Sequence, residues 1–350
     1  MQEGHINPYF SAKKKQELPF STPESWMEAI RNGDRSALAR AITTLENQQA
    51  TQRNMAEKLL QLALPFAGNA LRIGLTGIPG AGKSTLIEAL GLSFLALGKK
   101  IAVLAVDPSS QVSGGSILGD KTRMEQLSKH QEVFIRPSPS EGVLGGVAKA
   151  TREAIYLCEA AGYDLILVET VGVGQSEIAV KRMTDLFLLV AIPGAGDELQ
   201  GIKRGIMEMV DMVVINKAEG ERKPAASIAA RQMKNALHLL PAHPYGLIPE
   251  VLLVSALEKT GITELRDQLL EAEAQLQPHL SQIRHQQTLE WLKETLQHFW
   301  EQAMYQSQDM QPLWKTLNQE VAQQTCTPFD AAKQLWEQFI SLQQKPQEKL

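Results

Sequence analysis

The 350 residues predict an α/β chain: a doubly wound, mostly parallel sheet, with a helical collar before it and a helical arm after it. Three observations predict this. The stretch Gly77-Ile-Pro-Gly-Ala-Gly-Lys-Ser84 fits the P-loop pattern G-x-x-x-x-G-K-[ST]. An apolar run of strand type, Leu71-Arg-Ile-Gly-Leu-Thr76, precedes it, and Leu86, Ile87, Leu90 and Phe94 follow with helical spacing. From residue 71 to 256, apolar runs without polar alternation recur between helical stretches, as strands covered on both faces do.

In chain order, three regions are expected: 1–66, an arm and helices; 67–280, the sheet domain; and 281–350, a helical region. Residues 1–22 are polar and punctuated by proline. Thr22-Pro-Glu-Ser reads as a capped helix start. Helices are predicted over 26–32, 35–47 and 52–63, and the stripe Leu38, Ala41, Ile42 and Leu45 is expected to pack as a collar on the sheet domain. Strands are predicted over 101–106, 133–136, 165–169, 186–192, 212–216 and 251–254, with helices over 82–97, 146–161 and 224–239. After Ala274 the chain turns Gln-rich. Leu289, Leu292, Leu296, Phe299 and Ala303 step by three and four, as do Phe329, Ala332, Trp336 and Phe339, with Leu313, Leu317 and Val321 between them. From pattern alone these seams fit packing on a second subunit or on the chain's own domain.

Composition excludes some classes. A net charge of −4 gives no general reason to expect nucleic-acid binding. Cys158 and Cys326 are too far apart for a CxxC metal site and too few for a disulfide framework. No apolar run approaches the roughly 18 residues of a membrane helix, so no membrane insertion is expected. The first residues lack the apolar core of a secretory signal. Lys13–Lys15 lie between Glu3 and Glu17, a poor match to a transit peptide, and the expected compartment is the cytoplasm.

The P-loop glycines let the backbone curl into a nest of N–H groups around phosphate oxygens. Gly77, Ile78, Pro79, Gly80, Ala81, Gly82, Lys83, Ser84 and Thr85 form the expected cradle. Lys83 reaches the outer phosphates, the Ser84 hydroxyl binds Mg²⁺, and the helix directs its positive end at the anion. A nucleoside triphosphate with Mg²⁺ is the expected ligand.

In doubly wound sheets, ligands bind at the carboxyl ends of the strands. Asp107 stands at one such end, and Asp120 follows in the Gly-rich stretch 113–123. Each fits a role at Mg²⁺; the alternatives are an Asp-Pro turn for Asp107 and a helix cap for Asp120. Glu169-Thr-Val-Gly172 has the form of a Walker-B element fused to a switch. Glu169 would meet Mg²⁺ through water, and Gly172 would bring its N–H toward the γ-phosphate. A second Gly-rich loop, 193–203, ends in Lys203 and is followed by Arg204; its Asp197 also fits a helix cap. Asn216-Lys217-Ala218-Glu219 resembles the N-K-x-D segment that reads the guanine edge through a carboxylate, here one methylene longer. Ser255-Ala256-Leu257 matches the supporting loop of guanine sites.

Together these stretches resemble a known family. Thr76–Thr85, Val106–Ser110, Gly114–Met124, Glu169–Glu177 and Asp197–Lys203 are similar to the MeaB/ArgK-type GTPases, chaperones of cobalamin-dependent methylmalonyl-CoA mutase within the SIMIBI class. The resemblance runs from about Ser36 to Arg284. It implies GTP hydrolysis to GDP, slow in the isolated protein. It also implies a homodimer built by the C-terminal helices, and a mutase partner whose adenosylcobalamin loading the GTPase gates and which it protects from inactivation. Asp107 and Asp120 would lie in the first switch, 169–175 in the second, and 193–203 in a further switch that senses the mutase. Lys83, Asp107, Glu169 and Lys203 would carry the reaction. The departure is Glu219, where Asp is usual.

Two other readings compete. An ATPase or kinase of arginine and ornithine transport would need a phospho-acceptor site or a transporter surface, and the guanine-type segment argues against ATP. A nickel-inserting maturation GTPase would need a Cys/His cluster. His238 and His243 do not have ligand spacing.

Overall fold

The computed structural model describes residues 22–47, 50–106, 124–137, 144–170, 176–193, 204–305 and 307–344. The chain divides into two compact units, Met1–Leu280 and Ser281–Leu350.

In the first unit, helix α1 (Pro23–Arg31) begins at Thr22, whose hydroxyl accepts from the Ser25 N–H at 3.2 Å while Ser25 Oγ accepts from the Thr22 N–H at 3.3 Å. This reciprocal cap satisfies donors that the helix cannot. Asp34 caps α2 (Arg35–Glu46) by accepting from the Ser36 and Ala37 N–H groups at 2.8 and 3.0 Å. The third helix, α3, spans Ala50–Ala63. The Trp26 indole donates to the Ala37 carbonyl at 2.9 Å, so the collar is joined by a buried polar bond as well as by apolar contact. Trp26, Ile30, Leu38, Ile42 and Leu59 share one core with Ala102, Leu104, Ile166 and Val168 of the sheet.

The sheet has seven strands: β1 (Leu71–Thr76), β2 (Ile101–Val106), β3 (Val133–Arg136), β4 (Leu165–Thr170), β5 (Leu186–Ala191), β6 (Met212–Ile215) and β7 (Glu250–Leu253). Their order is β3-β2-β4-β1-β5-β6-β7, and every described pair is parallel. This is the doubly wound sheet the apolar runs predict. On one side of β1 lie β5, β6 and β7 in chain order, and on the other β4, β2 and β3; the chain leaves β1 toward β2 and its neighbour β5 toward β6, in opposite directions, which puts the P-loop at a topological switch point. Helices α4 (Lys83–Leu95), α5 (Glu125–Ser128), α6 (Leu144–Ala160), α7 (Ser176–Lys181), α8 (Arg204–Met207), α9 (Lys223–Leu237) and α10 (Ile262–Leu276) connect the strands or follow them. One strand departs from the expected full cover. β7 lies at the edge, where Glu250 is exposed and Val251 and Leu252 are half-buried. An edge strand has one neighbour and less roofing.

Arg72 interrupts β1 as a buried charge, and its guanidinium grips Glu159 of α6 at 2.8 and 2.7 Å. Removing either partner would strand a buried charge.

In the second unit, α11 (Leu280–Tyr305), α12 (Gln311–Ala322) and α13 (Pro328–Gln344) enclose a small core of Met304, Met310, Leu317, Ala331 and Leu335. The α11 stripe stays outside it: Leu292 and Leu296 are 64% and 65% exposed, and Leu289 and Phe299 are also exposed. No described helix is long and apolar enough to cross a membrane.

Glu153 on α6 is buried near Lys149 of its own helix and Arg53 and Glu57 of α3. Burial pushes its carboxyl up to about 7; the two cations oppose that shift and Glu57 adds to it. The folded state therefore holds a proton that the unfolded chain, titrating near 4.5, releases, and stability falls as pH rises between these values. Glu153→Gln should match wild type near pH 4.5 and be the more stable by about 2–3 kcal/mol above pH 7. Urea unfolding at pH 5 and pH 8 checks this; a pH-independent difference would exclude it.

Candidate functional site

The loop after β1 is shaped by glycines with little freedom to be anything else. Gly77 has φ 147°, and a Cβ there would lie 2.1 Å from the Val190 carbonyl oxygen of β5. Gly82 has φ 86°, and a Cβ would lie 2.6 Å from Asn216 Nδ2. Gly82 is the N-cap of α4 and makes no side-chain cap bond. The first-turn N–H groups of a helix lack partners within it, which suits a bound anion.

Lys83 is buried in the first turn of α4, and its Nζ donates to the Gly77 and Ile78 carbonyls at 2.8 and 3.2 Å. Burial lowers its pKa, while the carboxylates of Glu169 and Glu177 act to raise it. The Ser84 hydroxyl donates to Glu169 Oε1 at 3.1 Å, within 3.4 Å of Oε2. Ile78 is half-buried; Pro79, Gly80 and Thr85 are exposed.

The tips of β6 and β7 supply the rest. Asn216 is buried, and its Nδ2 donates to the Ala81 carbonyl at 2.9 Å, with the Gly82 carbonyl at 3.4 Å. Its Oδ1 accepts from the Ala256 N–H at 3.1 Å. Asn216 therefore joins the P-loop to the loop 255–257. Lys217 takes a left-handed conformation with φ 59°. Ala218 N–H donates to the Val254 carbonyl at 3.1 Å, aligning the two loops. Glu219 is half-buried and accepts a hydrogen bond from Ser255 Oγ. Ser255 Oγ in turn accepts from the Glu258 N–H at 3.0 Å. Leu257 stands 75% exposed beside them.

The parallel strands thus bring the P-loop, Glu169, Asn216–Glu219 and Ser255–Leu257 to one edge of the sheet. Asp107, Asp120, Gly172 and Lys203 lie outside the described residues, as does most of the loop 193–203. A further residue enters that sequence reasoning left without a role. Glu177 is only 2% exposed, in the first turn of α7, and its charge acts on Lys83. In sequence it looks like any first-turn carboxylate that a helix N-terminus favours.

A hydroxyl and a carboxylate in mutual contact, Ser84 and Glu169, are hard oxygen donors. Among the described residues no three His, Cys, Asp or Glu side chains cluster as a metal site. Such oxygen donors fit Mg²⁺, which keeps waters and phosphate oxygens in its shell beside one or two protein ligands.

A P-loop at the switch point, with a guanine-type Asn-Lys-x-acid segment braced against it, defines a P-loop GTPase. Comparison with known proteins specifies which. The family described as methylmalonyl-CoA mutase-associated GTPase MeaB matches residues 38–309, and the chain belongs to that family. It is 44% identical over 316 residues to the GTPase ArgK of Escherichia coli (strain K12), covering 90% of this chain and 95% of that one. It is 47% identical over 285 residues to the mitochondrial methylmalonic aciduria type A homolog of Mus musculus, covering 76% and 68%. A crystal structure described as a LAO/AO transport system kinase superposes with a TM-score of 0.74 at 36% identity, covering 93% of this chain and 99% of that one.

Glu219 tests the guanine edge. Glu219→Ala should weaken GDP binding by about 1.5–3 kcal/mol, the range for a hydrogen bond to a charged group, and barely change ADP binding. Calorimetric titration of both nucleotides checks it. Equal losses, or a wild type that prefers ADP, would contradict a guanine-reading carboxylate.

Proposed function

We propose that this GTPase gates adenosylcobalamin loading of a cobalamin-dependent acyl-CoA mutase of the methylmalonyl-CoA type and protects that enzyme from inactivation. The observation that carries the reading is the convergence of the P-loop, Glu169 and the Asn216–Glu219 segment on one sheet edge, in a chain of the mutase-associated family.

The reaction is phosphoryl transfer from GTP to water, in which the protein chiefly positions groups and balances charge. Lys83 leaves the Gly77 and Ile78 carbonyls for the outer phosphates, and the N–H groups of the loop, which Pro79 does not supply, hold the same oxygens. Ser84 and Glu169, joined by Asp107 and Asp120, would hold Mg²⁺, which when bound supplies charge neutralisation at the phosphates. Gly172 would direct its N–H at the γ-phosphate. Asn216, Lys217 and Glu219 would read guanine, supported by Ser255, Ala256 and Leu257. Lys203, on the loop that senses the mutase, would bring positive charge to the site once the partner orders it.

The exposed α11 stripe supports a homodimer in which the second copy covers it. The nucleotide unit closes its own core without this stripe. Removing the chain from Gln282 onward should leave a folded monomer by light scattering; a truncated dimer would place the interface elsewhere.

The test of the partner is direct. GTP turnover should rise at least about tenfold when the mutase is added, as expected when a partner completes electrostatic stabilisation. Lys203→Ala should lose most of that rise. No complex in any nucleotide state would overturn the mutase reading. Stimulation unchanged in Lys203→Ala would overturn the role given to the lysine alone.

A further inference from the structure

The strands β1 and β4 lie side by side, with Leu75 in register with Glu169. The next residue on each, the last of its strand, is a threonine. Thr170 Oγ1 donates to Thr76 Oγ1 at 3.2 Å. Thr170 is 0% exposed and Thr76 1%. Both hydroxyls sit among buried strand residues, where valine would fill the same volume without a polar atom. A buried hydroxyl costs free energy unless it is bonded, and here each is a partner for the other. Such a pair calls for a reason beyond packing.

Its position supplies one. Thr76 is followed by Gly77, whose carbonyl receives Lys83, and Gly77 is pressed against β5 so closely that no Cβ fits. Thr170 follows Glu169, whose carboxylate receives the Ser84 hydroxyl. The tip of β1 is therefore fixed to β5 by close backbone approach and to β4 by the threonine bond. The bond is the side-chain link between the strand that begins the phosphate loop and the strand that carries the acidic residue facing Ser84.

We propose that Thr76 and Thr170 are positioning residues of the GTPase: their hydrogen bond sets the distance between Glu169 and the P-loop, and so aligns the carboxylate with Ser84. This rests on the reading in which Ser84 and Glu169 serve Mg²⁺. The pair touches neither nucleotide nor metal. It acts through Glu169, so its loss should spare nucleotide binding without metal and reduce what the metal adds.

The experiment uses the full chain without any partner. GTP kcat and KM are measured for wild type, Thr170→Val, Thr170→Ser, Thr76→Val and the double valine variant. GDP affinity is measured by calorimetry with Mg²⁺ and with EDTA, and thermal midpoints are recorded. Loss of one such bond should lower kcat/KM for GTP about tenfold in Thr170→Val, with KM rising as the metal's contribution to nucleotide affinity falls. GDP affinity in EDTA should be unchanged, and the gain on adding Mg²⁺ should shrink by about tenfold. Thr170→Ser should recover both. Thr76→Val should reproduce Thr170→Val, and the double variant should be no worse than either, because both remove one bond.

Wild-type kcat/KM and Mg²⁺ gain in the valine variants would overturn the proposal. So would a parallel fall of thermal midpoint, EDTA affinity and kcat/KM, which marks a packing role. Should Thr170→Val not fold, Thr76→Val carries the same test; if neither folds, the pair is an element of the fold and the proposal fails. A wild type whose GDP affinity ignores Mg²⁺ would instead defeat the metal reading on which the proposal rests.

Discussion

The side-chain amide of Asn216 is the constraint on which the site depends. It is buried, and it bonds on both sides: its Nδ2 to the Ala81 carbonyl, its Oδ1 to the Ala256 N–H. An amide donates and accepts in fixed directions at once without carrying charge. Aspartate would set a carboxylate oxygen against the Ala81 carbonyl, and leucine would leave both backbone groups unpaired at about 1–3 kcal/mol each. Gly82 passes so close to this amide that a Cβ would collide with it. The phosphate loop, the β6 tip and the loop after β7 are therefore one polar assembly. Its parts sit 40 and 135 residues apart in the chain, and the parallel sheet brings them together.

The charge arrangement follows from the same burial. Lys83 is taken out of water, which disfavours its ammonium form, and Glu169 and Glu177 work against that penalty. Holding a cation ready in a dry loop requires negative charge nearby. Meeting that need with carboxylates on β4 and α7 places both acids where a nucleotide's phosphates would bring more negative charge. A cation held at Ser84 and Glu169, as proposed, would relieve the resulting repulsion. On the proposed reading, metal and nucleotide binding would be coupled through elementary electrostatics.

Much of this was legible in the sequence, because it rests on local pattern. Lys83 and Ser84 are fixed by their spacing from Gly77, and β1, β2 and α4 by apolar periodicity over a few residues. What was not legible rests on distant pairs. Arg72 reads as a flaw in an apolar run until Glu159, 87 residues on, is placed against it. Asn216 reads as a member of a nucleobase motif, whereas the structure also makes it the brace of the P-loop. His243 has no ligand spacing in sequence, yet its Nε2 lies 3.1 Å from Asp211, which also receives the Lys181 ammonium and the Phe187 N–H. Glu177 has no local signature, since a first-turn acid is ordinary and its burial is a property of the fold.

The acids at the amino ends of the strands and the two acids of the candidate site have different partners. At the amino ends of the strands, acids are held by charged partners and by backbone donors. Glu159 takes the Arg72 guanidinium and the Gly68 N–H; Asp185 takes the Arg72 N–H at 2.9 Å; Asp164 takes the Lys100 N–H at 2.8 Å. Bidentate and charge-assisted bonds of this kind are strong, and breaking one leaves a buried charge behind. At the carboxyl ends, Arg136 pairs with Glu46 at the tip of β3, while Glu169 and Glu219 receive hydroxyls, from Ser84 and Ser255. A neutral hydroxyl holds a carboxylate less tightly than a guanidinium does, so a cation or a pair of N–H donors can take its place at small cost. The two acids of the candidate site are thus held by contacts that a ligand could replace, whereas Arg72 and Glu159 join at the amino end in a bidentate ion pair.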